Sequence, residues 1–436
     1  MRIVPTVRVT ILHTNDIHGR VEGIARVATL VERIRAETPH RVIYVDAGDV
    51  EETTTRLSNL TKGVAMHRLL SAAGCEVSVV GNAVWLRYGP QVIPAQALAA
   101  SYPLLLANLA PVEGVQATAL IDGVGFVGVT DPFLSFLGSE IDYGIRPTDE
   151  VEEVLNGARE LRAAGAELVV CLSHLGYQRV APNLDVATID PELAERVQGE
   201  VDLIIGAHSH NLLPEGERIG SVTIVQAGKF AEHLGRVDVI DNEIHASVIP
   251  VEDDLPPHPR VLEALAEAER SLEASLDEVI AELDGPLDAQ WITEMLRERM
   301  HAEIGLATSA ALLDYPLPAG PLRRGALWEA CHSTANPAVT ELTGAQVARM
   351  LEKGNDPAFR QTTDHSLRGV PRGPLHVAGD ASRLEPERTY VVAATDYELE
   401  SYGRLVEPDW SLSVRYDFPT IIREAVEEKL STIRIR

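Results

Sequence analysis

Val7-Arg8-Val9-Thr10-Ile11-Leu12 runs straight into His13-Thr14-Asn15-Asp16-Ile17-His18-Gly19. A short apolar, β-branched run that breaks into Asp, His and Gly reads as a buried strand ending in a polar turn. The pattern recurs along the first half of the chain. Residues 42–45 lead into Asp46-Ala47-Gly48-Asp49, 77–80 into Gly81-Asn82, 168–172 into Ser173-His174, and 203–205 into Gly206-Ala207-His208-Ser209-His210. Two further runs lie at 104–107 and 222–225, and helical patterns fill 24–37, 64–73 and 151–164. Strand and helix in alternation predict an α/β layered domain.

Five of these strands therefore end in Asp, Asn or His. In open α/β sheets, ligands bind beyond the carboxyl ends of the strands, so these side chains can converge. Asp16 and His18 are two residues apart, as are His208 and His210; in extended backbone that spacing aims both members of a pair the same way. Gly19, Gly48, Gly81 and Gly206 would permit tight turns beside them. Carboxylate, amide and imidazole without thiolate suit Mn, Zn, Fe or Co. Asp16, His18, Asp49 and His210 can hold one divalent ion and Asp49, Asn82, His174 and His208 a second, with Asp49 bridging. Two ions about 3.5–4 Å apart generate a nucleophile and clamp a phosphoryl oxygen. Taken singly, each His is more often structural and each Asp more often a turn residue; five such coincidences on five strand ends favour a dinuclear metal site.

Beyond residue 250 the texture changes. Val251-Glu252-Asp253-Asp254-Leu255-Pro256-Pro257-His258-Pro259 is acidic and proline-rich and reads as a linker. Leu262, Leu265, Leu272, Leu276, Ile280 and Leu283 recur at helical steps, with Gly285-Pro286 as the stop. The expected organisation is a catalytic domain over 1–250, a linker and helix over 251–285, and a smaller α/β domain over 286–436 whose clearest strand is 389–394.

Composition narrows the function. The chain has 436 residues, 45% hydrophobic and 5% aromatic, and a formal charge of −27. That charge disfavours a nucleic-acid partner or an anionic membrane, each of which needs a basic face. A small phosphorylated substrate is compatible, because bound cations dominate the local field. Cys75, Cys171 and Cys331 are odd in number and far apart, which fits small buried residues in a reducing compartment rather than a disulfide framework. The N-terminus lacks a secretory pattern, Arg8 interrupting its apolar run, and no window is apolar enough to span a membrane. A cytoplasmic location is expected.

Leu12–Gly19, Asp46–Asp49, Gly81-Asn82, Ser173-His174 and Gly206–His210, in this order, resemble the motifs of calcineurin-like metallophosphoesterases. More narrowly they resemble the 5'-nucleotidase and UDP-sugar hydrolase family. Pro103–Leu109 and Gln226-Ala227-Gly228-Lys229-Phe230 fit the same family, and Pro318–Leu322 and Glu341–Gln346 are similar to its C-terminal domain. The resemblance implies a four-layer αββα catalytic domain, a helical linker and a C-terminal substrate-binding domain. It also implies a hydroxide, held by the two ions, that attacks phosphorus in line.

The chain departs from that pattern in three places. The family carries His after Gly-Asn, and an Asp shortly beyond; here these positions are Ala83 and Leu86. Where the family has Asn-Gly-Gly-Gly-Ile-Arg, this chain has Thr308-Ser309-Ala310-Ala311-Leu312-Leu313. No aromatic nucleobase clamp is evident around residues 332–336; Tyr402 and Trp410 could stack a base, though packing is the commoner role. Arg87 and His67 are the nearest sequence candidates to replace the lost His. Glu51-Glu52-Thr53-Thr54-Thr55 reads as a solvated loop, with lining of the site entrance as the alternative. The best-supported function is a metal-dependent phosphohydrolase acting on nucleotides or related small phosphates. The alternative is a metal- and ligand-binding pseudo-phosphatase with a sensing role; a nuclease is disfavoured by charge.

Overall fold

A computed structural model describes residues 8–52, 55–110, 112–131, 144–179, 188–241, 243–363, 370–399, 405–417 and 420–434. In chain order the strands of the first part are β1 (Arg8–Thr14), β2 (Arg41–Asp46), β3 (Val77–Val79), β4 (Leu104–Leu105), β5 (Leu109–Ala110), β6 (Thr118–Ile121), β7 (Val124–Thr130), β8 (Arg146–Pro147), β9 (Leu168–His174), β10 (Leu203–Gly206), β11 (Glu217–Ile219), β12 (Val222–Val225), β13 (His233–Ile240) and β14 (Glu243–Pro250). They build one sheet in the order β14-β13-β1-β2-β3-β4, a second in the order β11-β12-β10-β9-β7-β6, and a small β5-β8 ribbon.

Two-sided burial explains the unbroken apolar runs. Along β9, Leu168, Val170 and Leu172 point into a core shared with Ile11, Ile43, Val45 and Val79 of the first sheet. The intervening Val169 and Cys171 pack outward with Val151, Val154, Ala158 and Leu161 of the helix Glu150–Ala163. A strand covered on both faces has no polar side to alternate with. The helix Val21–Glu37 packs on β2 of the first sheet, and the helix Val64–Ala72 packs against it. The result is the expected four-layer αββα arrangement. Each buried Leu, Ile or Val in it contributes roughly 1.5–3 kcal/mol of transfer free energy.

The parallel pairs set the site. Thr14 sits opposite Asp46, Asp46 opposite Ser78, Thr130 opposite His174, and Ser173 opposite Gly206. The carboxyl ends of β1, β2 and β3 therefore lie level in one sheet, and those of β7, β9 and β10 in the other.

The chain divides into two compact units, Met1–Arg270 and Ser271–Arg436, a division inside the helix Pro259–Asp277. The sequence reading sets 251–285 apart as linker and helix. That helix stops at Asp277, and the next segment is a strand, β15 (Val279–Leu283). Ile280 and Leu283 keep the helical count but sit on β15, which pairs with a second strand at Gly320–Arg323. The β-branched Val279-Ile280 pair and an available partner outweigh the periodicity. A five-stranded sheet, accompanied by helices, also lies in the second unit and includes Thr389–Thr395, close to the 389–394 expected. Cys75, Cys171 and Cys331 are buried and unpaired. No helix among the described residues is long and apolar enough to cross a membrane.

The sequence reading has no strand at β7 and no β13-β14 hairpin. That hairpin completes the first sheet through a tight contact: His13 of β1 faces Gly235 of β13, and a Cβ at Gly235 would lie 2.0 Å from His13 Nε2. Burial drives the pKa of His13 down to about 3, so the ring sits there neutral. Gly235→Ala should therefore cost about 1–3 kcal/mol by overpacking. Urea unfolding should show a lower midpoint at unchanged slope; an unmoved midpoint would mean that the strand pair has slack.

Candidate metal centre

The turns after β1 and β2 are laced together. Asp16 N–H donates to Gly48 O at 2.9 Å, His18 N–H to Asp49 O at 2.9 Å, and Ala47 N–H to Thr14 O at 2.9 Å. Five of the seven predicted residues have left-handed backbone: Asp16 (φ 51°), His18 (47°), Asp49 (55°), His208 (66°) and His210 (56°). The members of each i, i+2 pair do converge, but through left-handed turns rather than the extended backbone expected. Non-glycine residues hold that conformation at a cost of roughly 1–3 kcal/mol each, and such strain gathers at functional sites. Gly48 (φ 97°) makes a turn as expected, whereas Gly81 and Gly206 lie outside the left-handed region. Gly81 is required by space, since a Cβ there would fall 2.0 Å from Asp49 Oδ1; at Gly206 a Cβ would meet Asp190 Oδ2 at 2.3 Å.

All seven side chains come together. Asp16 is fully buried, and its Oδ1 lies 3.5 Å from His210 Nε2, 3.8 Å from His18 Nε2 and 3.9 Å from His174 Nε2. Asp49 Oδ2 lies 3.3 Å from His174 Nε2 and 3.9 Å from His18 Nε2. Asn82 Oδ1 is 2.9 Å from His174 Nε2 and 2.7 Å from His208 Nδ1. His18 and His210 face each other, Nε2 to Nε2, at 3.2 Å. Two groups that could hold a metal ion result, Asp16-His18-His210 and Asp16-Asp49-His174. The sequence reading assigns the bridging role to Asp49 alone; here Asp16 belongs to both groups and Asp49 lies within 4 Å of a histidine from each.

The donor chemistry fits a cation. His174 Nδ1 is 2.7 Å from the Ala47 carbonyl, which accepts and so fixes the proton on Nδ1. Nε2 then turns a lone pair toward two carboxylates and an amide. Lone pairs and buried negative charge facing one another need a proton or a metal between them. The electrostatics agree: burial opposes charge on His174, yet the Asp49 carboxylate overrides it and pushes the pKa up to about 10. Burial would likewise raise Asp16 and Asp49, but the surrounding imidazoles hold both below the usual carboxylate range. Burial, then repulsion from His174, lowers His208 to about 4.

Residues that sequence reasoning missed hold this cluster. Asn15 Nδ2 donates to Asp16 Oδ2 at 2.8 Å and to Gly228 O at 2.6 Å, and Asn15 Oδ1 accepts from Ala227 N–H at 2.9 Å. Asp131, buried at the end of β7, places Oδ2 3.7 Å from His208 Nε2, on the side of the ring away from Asn82. The signal for Asp131 was a sixth strand end, in a run diluted by glycine. Glu51 is buried rather than solvated, and Glu52 Oε2 lies 3.8 Å from His18 Nδ1, so this segment borders the cluster; Thr53 and Thr54 lie outside the described residues.

Ala83 is buried, and its N–H donates to Asp49 Oδ1 at 2.8 Å. His67 is buried and engaged elsewhere, with Nε2 2.8 Å from Glu51 Oε1 and Nδ1 2.8 Å from the Tyr102 hydroxyl. The side chains of Leu86 and Arg87, and Tyr402 as a whole, lie outside the described residues. In the second unit Ala311, Leu312 and Leu313 enter the core, and Trp410 packs against another apolar cluster.

A carboxylate behind a ligating imidazole typically strengthens metal affinity by about 10–100-fold. Asp131→Ala should weaken Mn²⁺ affinity, read by titration calorimetry, by about tenfold at unchanged stoichiometry. Unaltered affinity would leave Asp131 no part in the cluster.

Comparison with known proteins accords with this geometry. Residues 284–405 match the family model described as 5'-nucleotidase, C-terminal domain. The uncharacterized metallophosphoesterase YunD of Bacillus subtilis is 25% identical over 89% of this chain and 88% of its own length. Snake venom 5'-nucleotidase of Crotalus adamanteus is 27% identical over 53% of this chain and 45% of its own, so the match spans about half of that relative. The solved structure of a 5'-nucleotidase precursor from Thermus thermophilus shares the fold, with a TM-score of 0.59 at 21% identity over 98% of this chain and 97% of that one. In its ordered strand-end motifs, in these relatives and in the match at residues 284–405, the chain is similar to 5'-nucleotidase-like metallophosphoesterases.

Proposed function

We propose that the protein is a metal-dependent phosphohydrolase of small phosphorylated molecules, nucleotides or related esters and anhydrides among them. The observation that carries this reading is the convergence of two buried carboxylates, an amide and four imidazoles at the carboxyl ends of the strands. Asp16, His18, Asp49 and His210 would hold one divalent ion and Asp49, Asn82, His174 and His208 a second, of the Mn, Zn, Fe or Co type. Such ions acidify water and neutralise charge on a phosphoryl group.

The chain's own residues do the rest. The Ala47 carbonyl fixes His174 in the tautomer that leaves Nε2 free. Asn15 and the His208 amide orient the Asp16 carboxylate, and the Ala83 amide orients Asp49. Ala83 itself has no proton to give. Losing a general acid costs about 10²–10⁴-fold, and the loss is smallest when the leaving group is already a stable anion. Phosphoanhydrides and aryl esters should therefore outpace alkyl esters. The net charge of −27 supports small substrates over nucleic acid.

Protein loaded with Mn²⁺ should hydrolyse a nitrophenyl phosphate ester and a nucleoside diphosphate faster than a nucleoside monophosphate. Asp49→Asn or chelation should abolish turnover. Ala83→His should raise the monophosphate rate by at least about tenfold. Metal binding without turnover on any of these substrates would instead favour the sensing pseudo-phosphatase suggested by Ala83.

A further inference from the structure

Phe230 forms one wall of the metal centre. Its ring lies edge-on to His18 at 5.8 Å and tilted to His210 at 6.2 Å, centroid to centroid. Its N–H donates to Asp16 O at 2.8 Å, so the wall is tied to the same turn that carries the ligands. Phe230 (φ 58°) and Ala231 (φ 55°) are both left-handed. A bulky side chain in that region is a genuine outlier and is kept only where its position is over-determined.

Two cations stand on this ring. Arg20 Cζ lies 4.5 Å and Lys229 Nζ 4.8 Å from its centroid. Neither has a carboxylate partner among the described residues. In a chain of charge −27, two cations without acidic partners beside one ring are conspicuous. Beside Arg20 and Phe230 opens a cavity of about 340 Å³, whose lining also includes Arg26, Glu22, Glu232 and Asp253. Of those acids, Glu22 and Asp253 face Arg26, at 3.5 and 3.9 Å, and Glu232 is exposed to solvent. Arg20 and Lys229 are thus left for an external anion.

We infer that Arg20, Lys229 and Phe230 form an anion subsite for a second phosphate group, adjoining the phosphate held at the metal centre. The inference rests on the hydrolase reading above and extends it to a preference for diphosphates. It also answers the chemistry left open at Ala83. In hydrolysis of a diphosphate, the oxygen of water bonds to the terminal phosphorus and the bond from that phosphorus to the bridging oxygen breaks. The leaving phosphate takes the electron pair, and the proton lost by water passes to solvent. No acid at position 83 protonates that leaving oxygen, so fixed positive charge beside it stabilises the departing anion.

The test uses two phosphonates that cannot be hydrolysed. Full-length Mn²⁺-loaded protein is titrated with methylenediphosphonate and with methylphosphonate, as wild type, Lys229→Met, and Arg20→Met/Lys229→Met; circular dichroism checks that each is folded. The wild type should bind the diphosphonate at least about tenfold more tightly, as charged hydrogen bonds allow. Lys229→Met should reduce that preference and the double variant remove it, with methylphosphonate affinity little changed. A preference absent from the wild type, or kept by the folded variants, overturns the subsite. Nitrophenyl phosphate turnover, followed in parallel, separates the two claims. Turnover with an unaltered preference sinks the subsite and leaves the hydrolase. A preference lost in the variants without wild-type turnover keeps the subsite and sinks the hydrolase.

Discussion

Two buried carboxylates, Asp16 and Asp49, cannot stay charged in the interior without compensation, and the surrounding structure is arranged to supply it. An isolated charge of this kind is costly enough that the group would protonate instead. Here four imidazoles, one amide oxygen and several backbone N–H groups converge on the pair. The carboxylates are held low and His174 is pushed up to about 10, which marks a pocket that draws positive charge. Carboxylate, amide and imidazole donors of this kind also suit a divalent cation, which would satisfy the same demand.

That demand explains features that local packing does not. Left-handed backbone at five residues of the cluster is unfavourable by itself, and the lacing of the β1 and β2 turns holds it in place at Asp16, His18 and Asp49. Gly81 and Gly48 leave room for Asp49 and His174, where a Cβ would collide at 2.0 and 2.7 Å. The doubly covered sheets supply a rigid frame, so the strand ends arrive at one level. Preorganisation of this sort is what allows fixed charge to act on a reacting group without rearrangement. Ala83 offers the cluster only its backbone N–H, to Asp49, and the cations at Phe230 lie beside His18 and His210.

Much of this was legible in the sequence because spacing and residue type survive without coordinates. Strand ends carrying Asp, Asn and His, with no thiolate, pointed to metal chemistry and to the sheet edge where it would lie. The sign of φ leaves no such trace, so spacing alone places the i, i+2 pairs on extended backbone. Asp131 was hidden by Gly125 and Gly128, which break the apolar run of β7; a Cβ at Gly128 would sit 2.4 Å from Leu105 Cβ, so the sheets themselves require the interruption. Glu51 looked solvated because its partner, His67, is 16 positions away and nothing local announces the pair. Ile280 and Leu283 kept a helical count by arithmetic while a strand partner waited at Gly320–Arg323.

Anomalous diffraction from crystals grown with Mn²⁺ is the most direct test of a dinuclear centre. Two peaks roughly 3.5–4 Å apart are expected, one against Asp16, His18 and His210 and the other against Asn82, His174 and His208, with Asp49 between them. No peak at the strand ends, or one ion bound by other residues, would contradict it.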